Sequence, residues 1–63
     1  MSIGENLERM RTDKGLTQEE LAESVGLSKS AICKYEKNVR EPSLKATAAI
    51  AKVLGCTVDA LMA

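Results

Sequence analysis

The 63-residue chain contains no histidine, tryptophan or phenylalanine, and it has one tyrosine and one proline. Histidine is the usual general acid or base and a common metal ligand, so its absence argues against a zinc site and against most enzyme classes. The chain also lacks a glycine-rich phosphate loop, and no serine or cysteine stands at a sensible spacing from a base. We therefore expect a protein that is not an enzyme and needs neither metal nor cofactor.

Cysteine and long apolar runs are also scarce. Cys33 and Cys56 are too few to form a disulfide framework. Glu5, Glu8 and Arg9 interrupt any apolar stretch near the start, which argues against a signal peptide. No segment approaches the length of a membrane span. We expect a cytoplasmic protein with reduced thiols and no membrane association.

The chain is long enough for one domain, residues 1–63, and a domain of this size is only marginally stable alone. Apolar residues make up 44% of the chain, which suffices for a small core. The scarcity of aromatic residues, proline and β-branched runs favours an all-α fold. Stability must then come from efficient helix packing, from a partner subunit, or from both.

Five helices can be placed by their capping residues. The predicted N-caps are Ser2, Thr17, Ser28, Ser43 and Thr57. Ser2 and Thr17 are each followed three residues later by glutamate, which is the pattern of a capping box. Residues that tolerate a left-handed backbone end the first four helices: Gly15, Gly26, Asn38 and Gly55.

The segment 17–35 has the layout of a helix-turn-helix, in which the second helix enters the DNA major groove. Ala22 is small where the two helices must cross, and Gly26 suits a turn that needs positive φ. The residues spaced to face inward are Leu21, Val25, Ile32 and Tyr35.

The net charge of the whole chain is zero, which argues weakly against a nucleic-acid partner. Its distribution indicates the opposite. Residues 1–27 carry three basic and six acidic groups, a balance of −3, whereas residues 28–45 carry five basic and two acidic groups, a balance of +3. Positive charge is therefore concentrated in the second helix of the motif and the loop after it. A basic face that is merely solvated is the alternative interpretation.

The outward face of the third helix is predicted to be Lys29, Ser30, Cys33, Lys34 and Lys37. The N-terminal part of a recognition helix meets base edges, and lysine can donate to guanine O6 and N7. We therefore predict that Lys29, Ser30 and Lys34 read bases, and that Cys33 packs on a thymine methyl or lies at the edge.

Phosphate contacts are predicted on both sides of this helix. Gln18 stands at the first turn of the second helix, where free backbone N–H groups and the helix dipole favour an anion. Lys37, Asn38 and Arg40 follow the recognition helix and can bind phosphates on the flanking backbone. Binding should then weaken steeply with salt.

Taken together, these motifs resemble the Cro and phage-repressor (XRE-type) helix-turn-helix family. The matching segments are residues 15–22, 25–28, 32, 35–36, 40–44 and 50–55. The resemblance implies a compact five-helix, lambda-repressor-like DNA-binding domain with the helix-turn-helix at helices 2 and 3. It also implies a transcriptional regulator, of the repressor or controller kind, that binds a palindromic operator as a homodimer. The chain is similar as well to restriction–modification controller proteins.

The resemblance also assigns roles to individual residues. In the family, the positions that match Gln18, Lys29, Ser30 and Lys34 touch DNA, and those that match Lys37, Asn38 and Arg40 lie along its backbone. An ion pair between Arg11 and Glu36 is implied too. The chain departs from the family pattern at Asn38, where glycine is frequent, and at Thr47 and Ala48, where leucine is common.

The apolar residues near the end of the chain predict an interface between two copies. Val58, Leu61 and Met62 are the candidates, and a two-fold axis through them would place two recognition helices about 34 Å apart. The alternative is that these residues close the core of the monomer. No small-molecule ligand is expected. A protein-interaction module on the same fold, such as an antitoxin-like subunit, is the alternative function.

Overall fold

The computed structural model describes residues 2–63, which fold into five α-helices without a strand. The helices are α1 (Ile3–Asp13), α2 (Gln18–Val25), α3 (Lys29–Glu36), α4 (Leu44–Leu54) and α5 (Val58–Met62). The predicted all-α class and helix order are confirmed. Within the described residues, no helix is both long and apolar enough to cross a membrane.

Each helix begins at the serine or threonine that the sequence predicts. In all five, the N-cap hydroxyl accepts a hydrogen bond from the backbone N–H three residues later. Ser2 and Thr17 complete capping boxes with Glu5 and Glu20. The hydrogen bonds from the Ser2 N–H and hydroxyl hold the pKa of the Glu5 carboxyl below its usual range. These caps satisfy N–H groups that a helix cannot pair internally.

The first four helices end in the same kind of reversal. The left-handed residues are Gly15, Gly26, Asn38 and Gly55, with φ between 59° and 73°. The residue after each of them donates its N–H to a carbonyl five residues earlier, at 2.9–3.1 Å. This pattern satisfies helix-terminal carbonyls and turns the chain sharply, so short loops suffice between helices.

The core lies where α2 packs on α3 and α4, and where α1 packs on α3 and α5. Its buried residues are Leu7, Leu21, Ala22, Ile32, Tyr35, Ile50, Ala51, Leu54 and Leu61. The inward positions predicted within the helix-turn-helix are therefore confirmed for Leu21, Ile32 and Tyr35. Val25 is half-buried and packs against the edge of this core.

The burial of Leu61 contradicts one prediction about the dimer. It is 1% exposed and packs within the core of its own chain, so it has no surface to offer to a second copy. The prediction that Leu61 lies in the dimer interface is wrong. Met62 is 58% exposed, and Val58 is half-buried against the core. A short helix alternates between core and solvent along its length, and the pattern of apolar residues alone does not show which side is which.

The two α4 positions that depart from the family pattern differ in burial. Thr47 is buried, and its hydroxyl donates to the Ser43 carbonyl at 2.8 Å, so its polar atom is satisfied within α4. Ala48 is exposed and takes no part in the core.

The first turn of α1 lies unusually close to the end of α3. Gly4 is buried there, and a Cβ atom on it would lie 2.5 Å from the Tyr35 carbonyl oxygen and 2.6 Å from that of Glu36. It would also lie 2.7 Å from the Asn38 Oδ1 atom. Real Cβ atoms do not approach backbone this closely, so the contact between the two helices requires glycine.

Asn6 joins α1 to α5. Its side chain is buried, and its Nδ2 group donates to the carbonyl oxygens of Leu61 and Ala63, both at 2.9 Å. The last turn of α5 has carbonyl groups without helical partners, and the Asn6 amide satisfies two carbonyls at this end.

A buried ion pair connects α1 to α3. Arg11 Nε donates to Glu36 Oε2 at 2.5 Å and Nη2 donates to Oε1 at 3.2 Å, while Nη1 donates to the Leu16 carbonyl. The Glu36 side chain is 3% exposed, so this carboxylate depends on Arg11 for its charge compensation. The ion pair implied by the family resemblance is confirmed.

Replacing Gly4 by alanine should destabilise the fold. Alanine favours a helix by about 1 kcal/mol over glycine, but overpacking at a tight contact costs about 1–3 kcal/mol. We expect a net loss in the free energy of unfolding, measured by urea denaturation. Glu23→Ala, an exposed change on α2, is the control and should alter stability by less than about 0.5 kcal/mol. A Gly4→Ala protein as stable as the control would contradict the close approach.

Arg11→Met should cost about 3–5 kcal/mol, because it leaves the Glu36 carboxylate buried without a cation. The double variant Arg11→Met/Glu36→Leu removes both charges and should recover most of that loss. Urea denaturation at neutral pH measures all three proteins. A single variant that loses less than about 1 kcal/mol would show that the pair does not compensate a buried charge.

Candidate nucleic-acid interface

One face of α3 is polar and basic, and its other face is anchored in the core. Lys29, Ser30 and Lys34 are exposed, as is Lys37 at the end of the helix. Cys33 lies on the same face but is half-buried. The opposite face buries Ile32 completely. The structure thus brings the predicted base-reading residues together on a surface that the rest of the domain holds in place.

The N-cap residue Ser28 fixes the first turn of α3. The Ser28 hydroxyl accepts from the Ala31 N–H at 3.1 Å and fixes the first turn, where Lys29 and Ser30 stand. The Gly26 turn before it has φ 71°. The turn at Gly26 and the direct packing of α2 on α3 together fix the direction of α3.

Gln18 occupies the first turn of α2, beside the α3 face. It is half-buried, and its Nε2 group donates to Glu36 Oε1 at 2.8 Å. The carboxylate that binds Arg11 therefore also orients Gln18, which links α1, α2 and α3 through one side chain. The second hydrogen of that amide and its oxygen are still available to an outside partner.

Gln18 and Lys29 line the same open cleft, of about 480 Å³, with Arg11, Thr17 and Glu19. The cleft holds two cationic groups and one carboxylate. The hydrogen bond from Arg11 to Glu36 raises the pKa of the Arg11 guanidinium above its ordinary value. Gln18, a predicted phosphate contact, and Lys29, a predicted base contact, therefore lie in the same cleft.

The loop after α3 carries the second set of predicted phosphate contacts. Lys37 and Arg40 are exposed on either side of Asn38. Asn38 differs from the prediction in one respect, because its amide is bonded within the chain. Its Oδ1 atom accepts from the Gly4 N–H at 3.1 Å, and its Nδ2 group donates to the Ser2 hydroxyl at 2.9 Å.

Nothing within residues 2–63 resembles a metal site, since no three histidine, cysteine, aspartate or glutamate side chains cluster there. Cys33 and Cys56 both carry free thiols. The interface therefore has lysine, arginine, serine and amide groups as its chemistry, which are donors suited to phosphates and base edges.

Sequence reasoning missed two structural residues of α1 and one hydrogen bond at this surface. Gly4 and Asn6 lie in α1 among its apolar positions, and a small or polar residue in such a stripe is the signal that could have revealed them. The bond from Gln18 to Glu36 had no such signal, because it joins residues 18 positions apart on different helices.

Comparison with known proteins identifies the family of this fold. The helix-turn-helix family matches residues 7–61. Over 62 residues the chain is 39% identical to the HTH-type transcriptional activator BcrR of Enterococcus faecalis, an alignment that covers 98% of this chain and 30% of BcrR. The chain spans 30–56% of the length of the first curated relatives that it matches.

Two solved structures are similar over nearly their whole length. The P22 c2 repressor, solved in complex with a synthetic operator, has a TM-score of 0.95 and 31% identity, with 98% of this chain and 94% of that chain covered. The restriction-modification controller protein C.AhdI from Aeromonas hydrophila has a TM-score of 0.91 and 35% identity, with coverages of 95% and 91%. The predicted resemblance to phage repressors and controller proteins is confirmed, and the chain belongs to the helix-turn-helix family.

Proposed function

We propose that this chain is a sequence-specific, double-stranded DNA-binding transcriptional regulator that inserts α3 into the major groove. The observation that carries the proposal is the exposed face of α3, where Lys29, Ser30 and Lys34 project from a helix whose opposite side is fully buried. The similarity to a repressor solved on its operator supports the same docking.

The chemistry of this face favours particular bases. Lys29 and Lys34 carry donors without acceptors, so they suit the O6 and N7 acceptors of guanine. Ser30 can donate or accept and therefore fits a base or a phosphate. Cys33 is half-buried, which suits a contact with a thymine methyl at the edge of the groove.

Phosphate binding positions the helix on the duplex. Gln18 stands before α3, and Lys37 and Arg40 stand after it, so backbone contacts would flank the groove on both sides. The zero net charge of the chain limits non-specific attraction, while the +3 balance of residues 28–45 concentrates the attraction at this face. Affinity should therefore depend on a good fit as well as on charge.

We further propose a homodimer on a palindromic operator. Met62 is exposed and Val58 is half-buried on α5, and a two-fold contact through this helix would pair two α3 helices about 34 Å apart. Repression by occupying an operator needs no surface beyond the DNA-binding face and the dimer contact. We therefore propose a repressor or controller role. An enzymatic activity is not expected, because the helix-turn-helix family is not a class of enzymes.

Selection of bound duplexes from a random pool tests the proposal directly. We expect a palindromic consensus, and we expect its affinity to fall steeply with salt because phosphate neutralisation releases counterions. Fluorescence anisotropy between about 50 and 200 mM salt measures this dependence. If no duplex binds above background at low salt, the proposal fails in favour of a protein-interaction module on the same fold.

Lys34→Ala and Arg40→Ala should have different effects on DNA binding. Loss of Lys34 should relax preference at one base-pair position by about 1–3 kcal/mol, because a base contact is removed. Loss of Arg40 should weaken all duplexes alike and reduce the salt slope by about one. Anisotropy on the consensus and on single-base variants measures both. Equal losses on every duplex for Lys34→Ala would remove Lys34 from the base-reading set.

Met62→Glu should convert dimers to monomers, because it places a charge in the proposed two-fold contact. Sedimentation equilibrium measures the change, and circular dichroism verifies that the helices persist. Val39→Glu is the matched control, since Val39 is also an exposed apolar residue, at 72%, but lies in the loop after α3. Equal weakening by both variants, or by neither, would place the interface elsewhere.

A further inference from the structure

Asn38 differs from the three other residues that end helices in this fold. All four have a left-handed backbone, but the other three are glycines, which adopt it without strain. Asn38 has φ 59°, a conformation that asparagine tolerates less well than glycine. The helix reversal itself needs nothing from the asparagine side chain, so that side chain requires a separate explanation.

The amide of Asn38 bridges the end of α3 to the start of α1. Its Oδ1 atom accepts from the Gly4 N–H, one of the first-turn groups that α1 cannot pair internally. Its Nδ2 group donates to the hydroxyl of Ser2, the N-cap of α1. These partners are 34 and 36 residues away in sequence, so the contact is tertiary.

The backbone on either side of Asn38 is also held. The N–H groups of Val39 and Arg40 both donate to the Lys34 carbonyl, at 3.0 and 3.4 Å. Residues 37–40 therefore fold back on α3 while the Asn38 side chain ties them to α1. Lys37 and Arg40 extend from this doubly attached loop into solvent.

We propose that Asn38 is a positioning residue for DNA binding: its amide holds residues 37–40 against the N-terminus of α1 and so fixes Lys37 and Arg40 where they meet phosphates. This inference rests on the proposed function. It replaces direct phosphate binding by Asn38 with an indirect role. A loop that is already ordered loses less conformational entropy on binding. Lys37 and Arg40 should therefore bind DNA phosphates more tightly.

Asn38→Gly isolates the effect, because glycine keeps the left-handed backbone and removes both side-chain hydrogen bonds. We expect the Kd for the selected duplex to rise about 3- to 10-fold, at a temperature where circular dichroism shows both proteins fully folded. The factor should be the same on cognate and non-specific duplexes, since phosphates carry no sequence information. A purely structural role would lower the unfolding midpoint and leave Kd unchanged.

A mutant cycle with Lys37 and Arg40 tests the route of the effect. If Asn38 acts by positioning these two cations, then Asn38→Gly should raise Kd less than about 2-fold when Lys37→Ala and Arg40→Ala are both already present. An undiminished factor in that background would overturn the proposal, because Asn38 would then act independently of both cations.

The α1 side of the bridge supplies the second test and its control. Ser2→Ala removes the hydroxyl that Asn38 contacts and should raise Kd. In the double variant Ser2→Ala/Asn38→Gly, the increase in the binding free energy should be less than the sum of the two single effects. Glu5→Ala breaks the same capping box without touching Asn38, so it should lower stability and leave Kd unchanged. Equal Kd for wild type and Ser2→Ala would overturn the part of the bridge that the Ser2 hydroxyl forms.

The two proposals fail in different ways. A wild-type protein that binds no duplex at low salt overturns the proposed function, and the role of Asn38 with it. A wild-type protein that binds, with Asn38→Gly binding equally well, overturns the role of Asn38 alone.

Discussion

The Glu36 carboxylate is the point at which three helices of this domain are joined. It lies at the end of α3, accepts two hydrogen bonds from Arg11 on α1, and accepts a third from Gln18 on α2. A buried charge of this kind is costly unless every partner is in place. A shift of α1, α2 or α3 would therefore disturb the positions of the other two helices. Gln18 belongs to the surface that faces DNA in our proposal, so such a shift would also change that surface.

The structural residues and the exposed residues of the helix-turn-helix perform separate tasks. Ala22, Gly26 and Ile32 set how α3 leaves α2 and how deeply it is anchored, whereas Lys29 and Lys34 stay in solvent. A scaffold with this division can change its target by exchanging exposed residues, because the core does not contact them. The net charge of the chain is zero because the acidic surplus of residues 1–27 offsets the basic surplus of residues 28–45, so the α3 surface can still be locally basic.

Much of the fold could be predicted from the sequence, because local signals determine it. Serine and threonine caps and left-handed reversals act within a few residues, and the five N-caps and four left-handed residues all occur at the predicted positions. Tertiary contacts were less accessible. The sequence pattern predicts Leu61 in an interface, because an apolar residue near a terminus gives the same signal whether the core of its own chain or a partner covers it. The hydrogen-bond partners of Asn38 and Gln18 belong to other helices, where no local pattern indicates them. The contact of Gln18 with DNA stays a prediction.

The Asn6 amide has a consequence for how the molecule is assembled. A helix of five residues does not persist alone in water, so α5 depends on the core around Leu61 and on the Asn6 amide of α1. The first and last helices must therefore meet before the proposed dimer contact exists. Association through α5 would then select for completely folded chains, and an unfinished or partly opened domain would be excluded from the dimer.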